Sequence, residues 1–184
     1  MYQLLRPILF AFEAETAHGL ALAGLKLPLP AAPKPDPMLA QRLFGLDFAG
    51  PVGLAAGFDK DGDVAHRVGA LGFAFAELGT LTPLPQSGNP SPRLFRLAQD
   101  EAVINRMGFN NGGQAAARER LARHKRPEGL LVGVNVGANK DAVDRIADYE
   151  TGVRDMAPYA DYLTVNISSP NTPGLRALQD HGAL

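Results

Sequence analysis

Four times in its 184 residues the chain places a short apolar run ahead of glycine, alanine or asparagine and then turns to a helical pattern. A run over residues 52 to 56 leads into "AAGFDK", "FAFAELG" into "TLTP", "LLVGVNVG" into "ANK" and "YLTVNI" into "SSPN". The helical patterns between them are "DVAHRVGALG", "QAAARERLARH" and "DAVDRIADYETGVRDMAPYA". Strand and helix in alternation predict an α/β fold: parallel strands, right-handed crossovers, and functional groups at the C-terminal strand ends.

Two stretches stand outside this rhythm. Residues 80 to 111 form a long segment without helical pattern, in which "PRLFRL" and "AVINR" read as short strands, so an ordered loop over the site is expected. At the N-terminus, Leu5, Ile8, Leu9 and Phe12 make one apolar helical stripe, and a second helix is expected over residues 16 to 25. The segment "PLPAAPKPDP" then sets five prolines in ten residues, which forbids helix and favours an extended linker. Residues 1–37 are thus expected to be a helical appendage and linker, and 38–184 the main body. The appendage either packs on its own domain or presents Leu4, Leu9, Leu20, Leu22 and Leu25 to lipid or a lipophilic ligand. A short hairpin in "LFGLDFAG" precedes the first buried strand.

Composition narrows the chemistry. The chain has no cysteine, so disulfides, thiolate metal sites and a cysteine nucleophile within it are excluded. Eighteen basic against nineteen acidic residues give a net charge of -1, and no nucleic-acid partner is expected. Arg118, Arg120, Arg123, Lys125 and Arg126 cluster near a helix end, where they complement the dipole and read as surface. The apolar run of "MYQLLRPILFAFEAE" is too short for a signal peptide or a membrane span.

The strand ends share one composition. Small residues there let backbone approach a flat ligand, while Lys60, Thr80, Asn135 and Asn166 aim polar groups at it. Three other readings fail on spacing. "DKDGD" has Ala70 where a calcium loop needs glutamate, and "NKDA" has Ala142 where guanine recognition needs aspartate. No Gly-x-Gly-x-x-Gly turn opens the first helix. His66 and His124 read as surface or capping residues, and no metal site is expected.

Together "GLAAGFDKDG", "ELGTLTPLPQSGNPSPRLFRL", "INRMGFNNGG", "VNVGANKD" and "VNISSPNTPGLR" resemble the dihydroorotate dehydrogenases, flavoenzymes of pyrimidine synthesis, over most of residues 45 to 180. Ser169 in the last motif resembles the membrane-associated, quinone-reducing class, whose cytosolic counterpart has cysteine there. The resemblance implies a (β/α)8 TIM barrel, with about its first four βα units present here, and an N-terminal quinone-tunnel appendage. It implies FMN as cofactor, with Ala56, Gly57, Phe58, Asp59, Lys60, Thr80, Asn135 and Asn166 as its contacts. Lys60, Asn105, Arg106, Met107, Gly108, Phe109, Asn166 and Asn171 are implied to hold dihydroorotate or orotate. Ser169 is implied as the base that takes the C5 proton, and His18 and Arg96 as residues of the quinone tunnel. A peripheral location on the cytoplasmic side of a bacterial inner membrane follows from the same likeness.

These residue types suit those tasks. Dihydroorotate alternates carbonyl and N–H groups, which asparagines can read as both donor and acceptor. Lys60 offers a compact positive charge to an anion. A serine hydroxyl is a poor base unless something accepts its proton in turn, and Ser168, Thr172 or a bound water are the candidates. Such a barrel needs about 250 residues and places its phosphate site after the seventh and eighth strands. The 184 residues alone are therefore expected neither to retain FMN tightly nor to turn over. The alternative is a non-catalytic half-barrel that binds or self-associates.

Overall fold

Period-two alternation decides which way a strand faces, and here it sorts valine and leucine from glycine and asparagine. The computed structural model describes residues 2–179 apart from Ala31, Lys34 and Pro173. Two helices, α1 (Tyr2–Ala11) and α2 (Ala14–Leu25), precede an antiparallel hairpin of β1 (Gln41–Leu43) and β2 (Leu46–Phe48). The main sheet follows. Strands β3 (Gly53–Leu54), β4 (Phe75–Leu81), β7 (Leu131–Val136) and β8 (Tyr162–Val165) lie parallel in that order, with the antiparallel hairpin β5 (Leu94–Leu97) and β6 (Ala102–Asn105) inserted after β4. Helices α3 (Gln114–Arg123) and α4 (Arg145–Met156) are the crossovers on either side of β7.

Ala76, Leu78, Val132, Val134 and Val136 are buried with Ala117, Met156, Ala65 and Val68 in one cluster between sheet and helices. Each large aliphatic side chain there contributes roughly 1.5–3 kcal/mol by leaving water. The other face carries Phe75, Glu77, Asn135, Tyr162 and Thr164. A Cβ on Gly53 would meet the Phe75 ring, and one on Gly133 the Tyr162 ring, so the glycines make room for these aromatics. Burial, with Glu77 beside it, pushes the Tyr162 phenol up.

Three elements depart from the sequence expectation. Residues 65–71 form a 3-10 helix instead of an α-helix, and its buried residues Ala65 and Val68 stand at the i, i+3 spacing that eclipses side chains in that geometry. The first parallel strand is two residues long, paired among the described residues only with β4, through Gly53 and Leu54. Helix α4 starts at Arg145, later than its apolar pattern, because Asp144 caps it by accepting from Ile146 N and Ala147 N at 3.0 and 3.1 Å.

Helix α2 is tied to the body. Arg93 forms an ion pair with Glu15, whose carboxyl it holds below the usual range, and His18 donates from Nε2 to the Phe58 carbonyl at 2.6 Å. Lys26 pairs with Asp63 at 3.2 Å. Helix α1 instead keeps Leu4 79% and Ile8 60% exposed. Among the described residues no helix is long and apolar enough to cross a membrane. The arginines of the basic cluster in and after α3 are paired: Arg118 with Asp155, Arg120 with Asp63, Arg123 with Glu119 and Arg126 with Asp161. His66 and His124 stack at 3.8 Å, and burial with the neighbouring ring brings His66 down to about 4.

Candidate active site

Parallel strands that all point one way deliver their following loops to one place. The loop after β3, the C-terminal end of β4, the segment from the end of β6 and the loop after β8 surround a cavity of about 420 Å3. From the first come Ala56, Gly57, Phe58 and Lys60, from the second Gly79 and Thr80, and from the last Asn166, Ser169 and Asn171. Asn105, Met107, Gly108 and Phe109 close it from above, and His18 reaches in from α2.

Side chains add to the β5–β6 hairpin and the Gln86–Asn111 bridge in holding the long segment. Gln86 Nε2 donates to the Gly108 and Phe109 carbonyls at 3.1 and 3.2 Å, and Asn89 Nδ2 to the Arg106 and Asn171 carbonyls at 2.9 and 3.3 Å. Gly108 (φ 73°) and Phe109 (φ 53°) are both left-handed, and a Cβ on Gly108 would stand 2.9 Å from Asn89. The turn over the cavity is strained at Phe109 and possible at Gly108 only for glycine.

Four expected residues lie off the cavity. Asp59 is 2% exposed and accepts from Asp63 N and Val64 N, both at 2.8 Å, so it shapes the loop that carries Lys60; burial raises its carboxyl above the usual range. Arg106 donates to the Pro92 carbonyl at 2.9 and 3.2 Å and straps the loop from outside. Arg96 donates to the Phe12 carbonyl at 2.8 Å and lies 4.6 Å over the Phe10 ring, in a separate depression with Arg6 and Val103. Asn135 stands behind Thr80, which donates to its Oδ1 at 2.6 Å.

Lys60 brings an amine to the cavity wall. Desolvation pulls that amine below its ordinary value, outweighing the opposing pull of the Glu15, Asp61 and Asp59 carboxylates. Lys60 Nζ donates to the Gly57 carbonyl at 2.5 Å, which holds it at the rim. Ser169 Oγ accepts from Asn171 N at 3.2 Å, while the Ser168 hydroxyl is turned to Asn166 Oδ1 at 3.2 Å. Of the two serines only Ser169 lines the cavity.

The family model described as dihydroorotate dehydrogenase matches residues 38–184. The chain belongs to the dihydroorotate dehydrogenase family. Over its whole length it is 64% identical to the dihydroorotate dehydrogenase (quinone) of Sphingopyxis alaskensis and 57% identical to that of Erythrobacter litoralis, covering 52% and 54% of those relatives. Ligand-free DHODH of Eimeria tenella is 44% identical, with a TM-score of 0.85 over 92% of this chain and 50% of that one; the same enzyme with ferulenol gives 45% and 0.86. The chain thus spans about half the length of the dihydroorotate dehydrogenases it matches, and its parallel sheet is part of their barrel.

Sequence reasoning missed four residues. Leu94, the first residue of β5, lines the cavity. Gly79 lines the cavity, and Asn110 lines it with a buried Oδ1 that has no protein partner among the described residues. Glu77 sits behind the wall, bonded to Asn135 at 2.8 Å and to Thr164 at 3.1 Å. The signal for Glu77 was its place two residues before Gly79 in "ELGTLTP", on the alternation that puts it on the Asn135 face.

Proposed function

We propose that the protein, at the full length of its relatives, is an FMN-dependent dihydroorotate dehydrogenase that passes electrons to a quinone, and that this chain carries the substrate-binding side of its site. The observation that carries the reading is the meeting of Lys60, Asn105, Asn166, Asn171 and Ser169 around one cavity. A flavin ring suits its wall: Gly57, at φ +98°, leaves open space where a Cβ would stand, and the orphaned Asn110 oxygen offers an acceptor to a ring N–H.

Bound flavin would accept the hydride from C6 of dihydroorotate and release its electrons to quinone. Lys60 holds the substrate carboxylate, and the charge of that carboxylate offsets the desolvation of the amine. Asn105, Asn166 and Asn171 read the ring's carbonyl and N–H groups, and main chain from Met107 to Phe109 covers it against water. Ser169 takes the C5 proton as its own hydroxyl proton passes to an acceptor, for which Ser168, Thr172 and a bound water are the candidates, and the Asn171 N–H holds its oxygen in place.

Quinone is the acceptor favoured by the relatives' names and by serine rather than cysteine at position 169. The exposed Leu4, Ile8 and Phe12 of the N-terminal helices support peripheral contact with the cytoplasmic side of a membrane, with quinone arriving between α1, α2 and the body near His18 and Arg96. The test is anaerobic: dihydroorotate should bleach the flavin bands of the purified full-length protein and an added quinone should restore them. Flavin that stays oxidised with dihydroorotate would sink the reading.

A further inference from the structure

Behind the cavity wall runs a hydrogen-bond chain with one direction. Asn166 Nδ2 donates to Thr80 Oγ1 at 3.0 Å, Thr80 Oγ1 to Asn135 Oδ1 at 2.6 Å, and Asn135 Nδ2 to Glu77 Oε1 at 2.8 Å. Glu77 Oε2 accepts from Thr164 Oγ1 at 3.1 Å. Thr80 is 8% and Asn135 5% exposed, so neither can exchange these partners for bulk water.

A side-chain amide has nearly the same outline whichever way it is turned, and a hydroxyl can donate in either direction. Only a group that can solely donate or solely accept fixes the polarity: at one end Ser168 N donates to Asn166 Oδ1 at 3.2 Å and turns the Asn166 NH2 to Thr80, and at the other stands Glu77. A carboxylate has no hydrogen to donate. Facing Glu77, Asn135 must present its NH2, which leaves its carbonyl for Thr80. The single hydrogen of Thr80 is then committed inward, and its oxygen meets Asn166 as an acceptor. On the cavity side this leaves Thr80 with a lone pair and Asn166 with one N–H.

We propose that Glu77 is a positioning residue that fixes the amide of Asn135 and through it the hydroxyl of Thr80, so that Thr80 meets the bound ring as an acceptor beside the Asn166 donor that the Ser168 N–H holds in place. The ring edge selected is one with an N–H beside a carbonyl. The inference rests on the proposed flavin site and adds a residue that touches no ligand.

A double-mutant cycle on the full-length apoprotein tests it, with FMN as the probe and loss of flavin fluorescence as the readout. Glu77→Gln keeps the shape but lets the Asn135 amide turn either way, freeing the Thr80 hydrogen to point into the cavity, and removes a charge-assisted bond, and should weaken FMN binding by about three- to tenfold. In a Thr80→Val background the same substitution should leave the already weakened affinity where it is, because its effect passes through the Thr80 hydroxyl. Equal losses in both backgrounds, or none in the first, would overturn the proposal. Thr164→Val keeps the Asn135 bond and should change affinity by less than about twofold; a loss as large as that of Glu77→Gln counts against a role through Asn135. Glu77→Leu serves the same cycle if the glutamine variant does not fold. Unaltered protein that fails to take up FMN refutes the flavin reading itself and the inference with it.

Discussion

Alanine at Ser169 should leave FMN bound to the full-length protein and slow its reduction by dihydroorotate by about 10^2- to 10^4-fold, the usual worth of a positioned general base. The C5 proton is only weakly acidic, so in the proposed reaction removing it needs an oxygen close to the ring whose own proton passes on as it takes the new one. Ser169 offers that oxygen, with Asn171 N donating to it at 3.2 Å. Ser168 cannot stand in, because its hydroxyl is bonded to Asn166 Oδ1 and does not line the cavity. Alanine deletes the proton acceptor while Lys60 and the asparagines keep the substrate in place. Stopped-flow absorbance of the flavin reads the rate directly, and an undiminished rate removes Ser169 from the mechanism.

The second large effect is structural. Gly79→Ala should destabilise the chain by about 3–5 kcal/mol, combining left-handed backbone strain with an overpacked strand end. Gly79 has φ +104°, and a Cβ there would strike the Asn135 carbonyl oxygen and stand 2.9 Å from Leu81 N. Neither neighbour is the free end of a flexible side chain. The same glycine donates its N–H to the Asp59 carbonyl at 3.0 Å and accepts from Gly57 N at 2.9 Å, which locks the Lys60 loop to β4. Chemical denaturation followed by circular dichroism should show the lower midpoint, and an unchanged midpoint would mean that the strand end can open.

Much of this was legible in the chain. Val132, Val134 and Val136 alternate with Gly133 and Asn135, so both the strand and its two faces could be read, and the polar runs after the strands pointed to the end of the sheet where the cavity lies. Which side chain enters the cavity was less visible. Motif order placed Arg106 and Asp59 in the site, yet one turns out to the Pro92 carbonyl and the other folds back onto Asp63 and Val64, because irregular backbone does not alternate predictably. The 3-10 helix was missed for a similar reason: Ala65 and Val68 satisfy both helical periods over so short a run. Glu77 was hidden by its own chemistry, since a charge within a strand reads as a solvated face until its partners Asn135 and Thr164 are seen across the sheet.

The arrangement as a whole is tested most directly by a crystal structure of the full-length protein with FMN and the product orotate. Orotate C5 should lie about 3–3.5 Å from Ser169 Oγ, with the carboxylate at Lys60 and the flavin stacked on the ring along the Gly57 and Thr80 wall. A pyrimidine ring bound elsewhere, or turned so that Ser169 faces its carboxylate edge, would contradict the account.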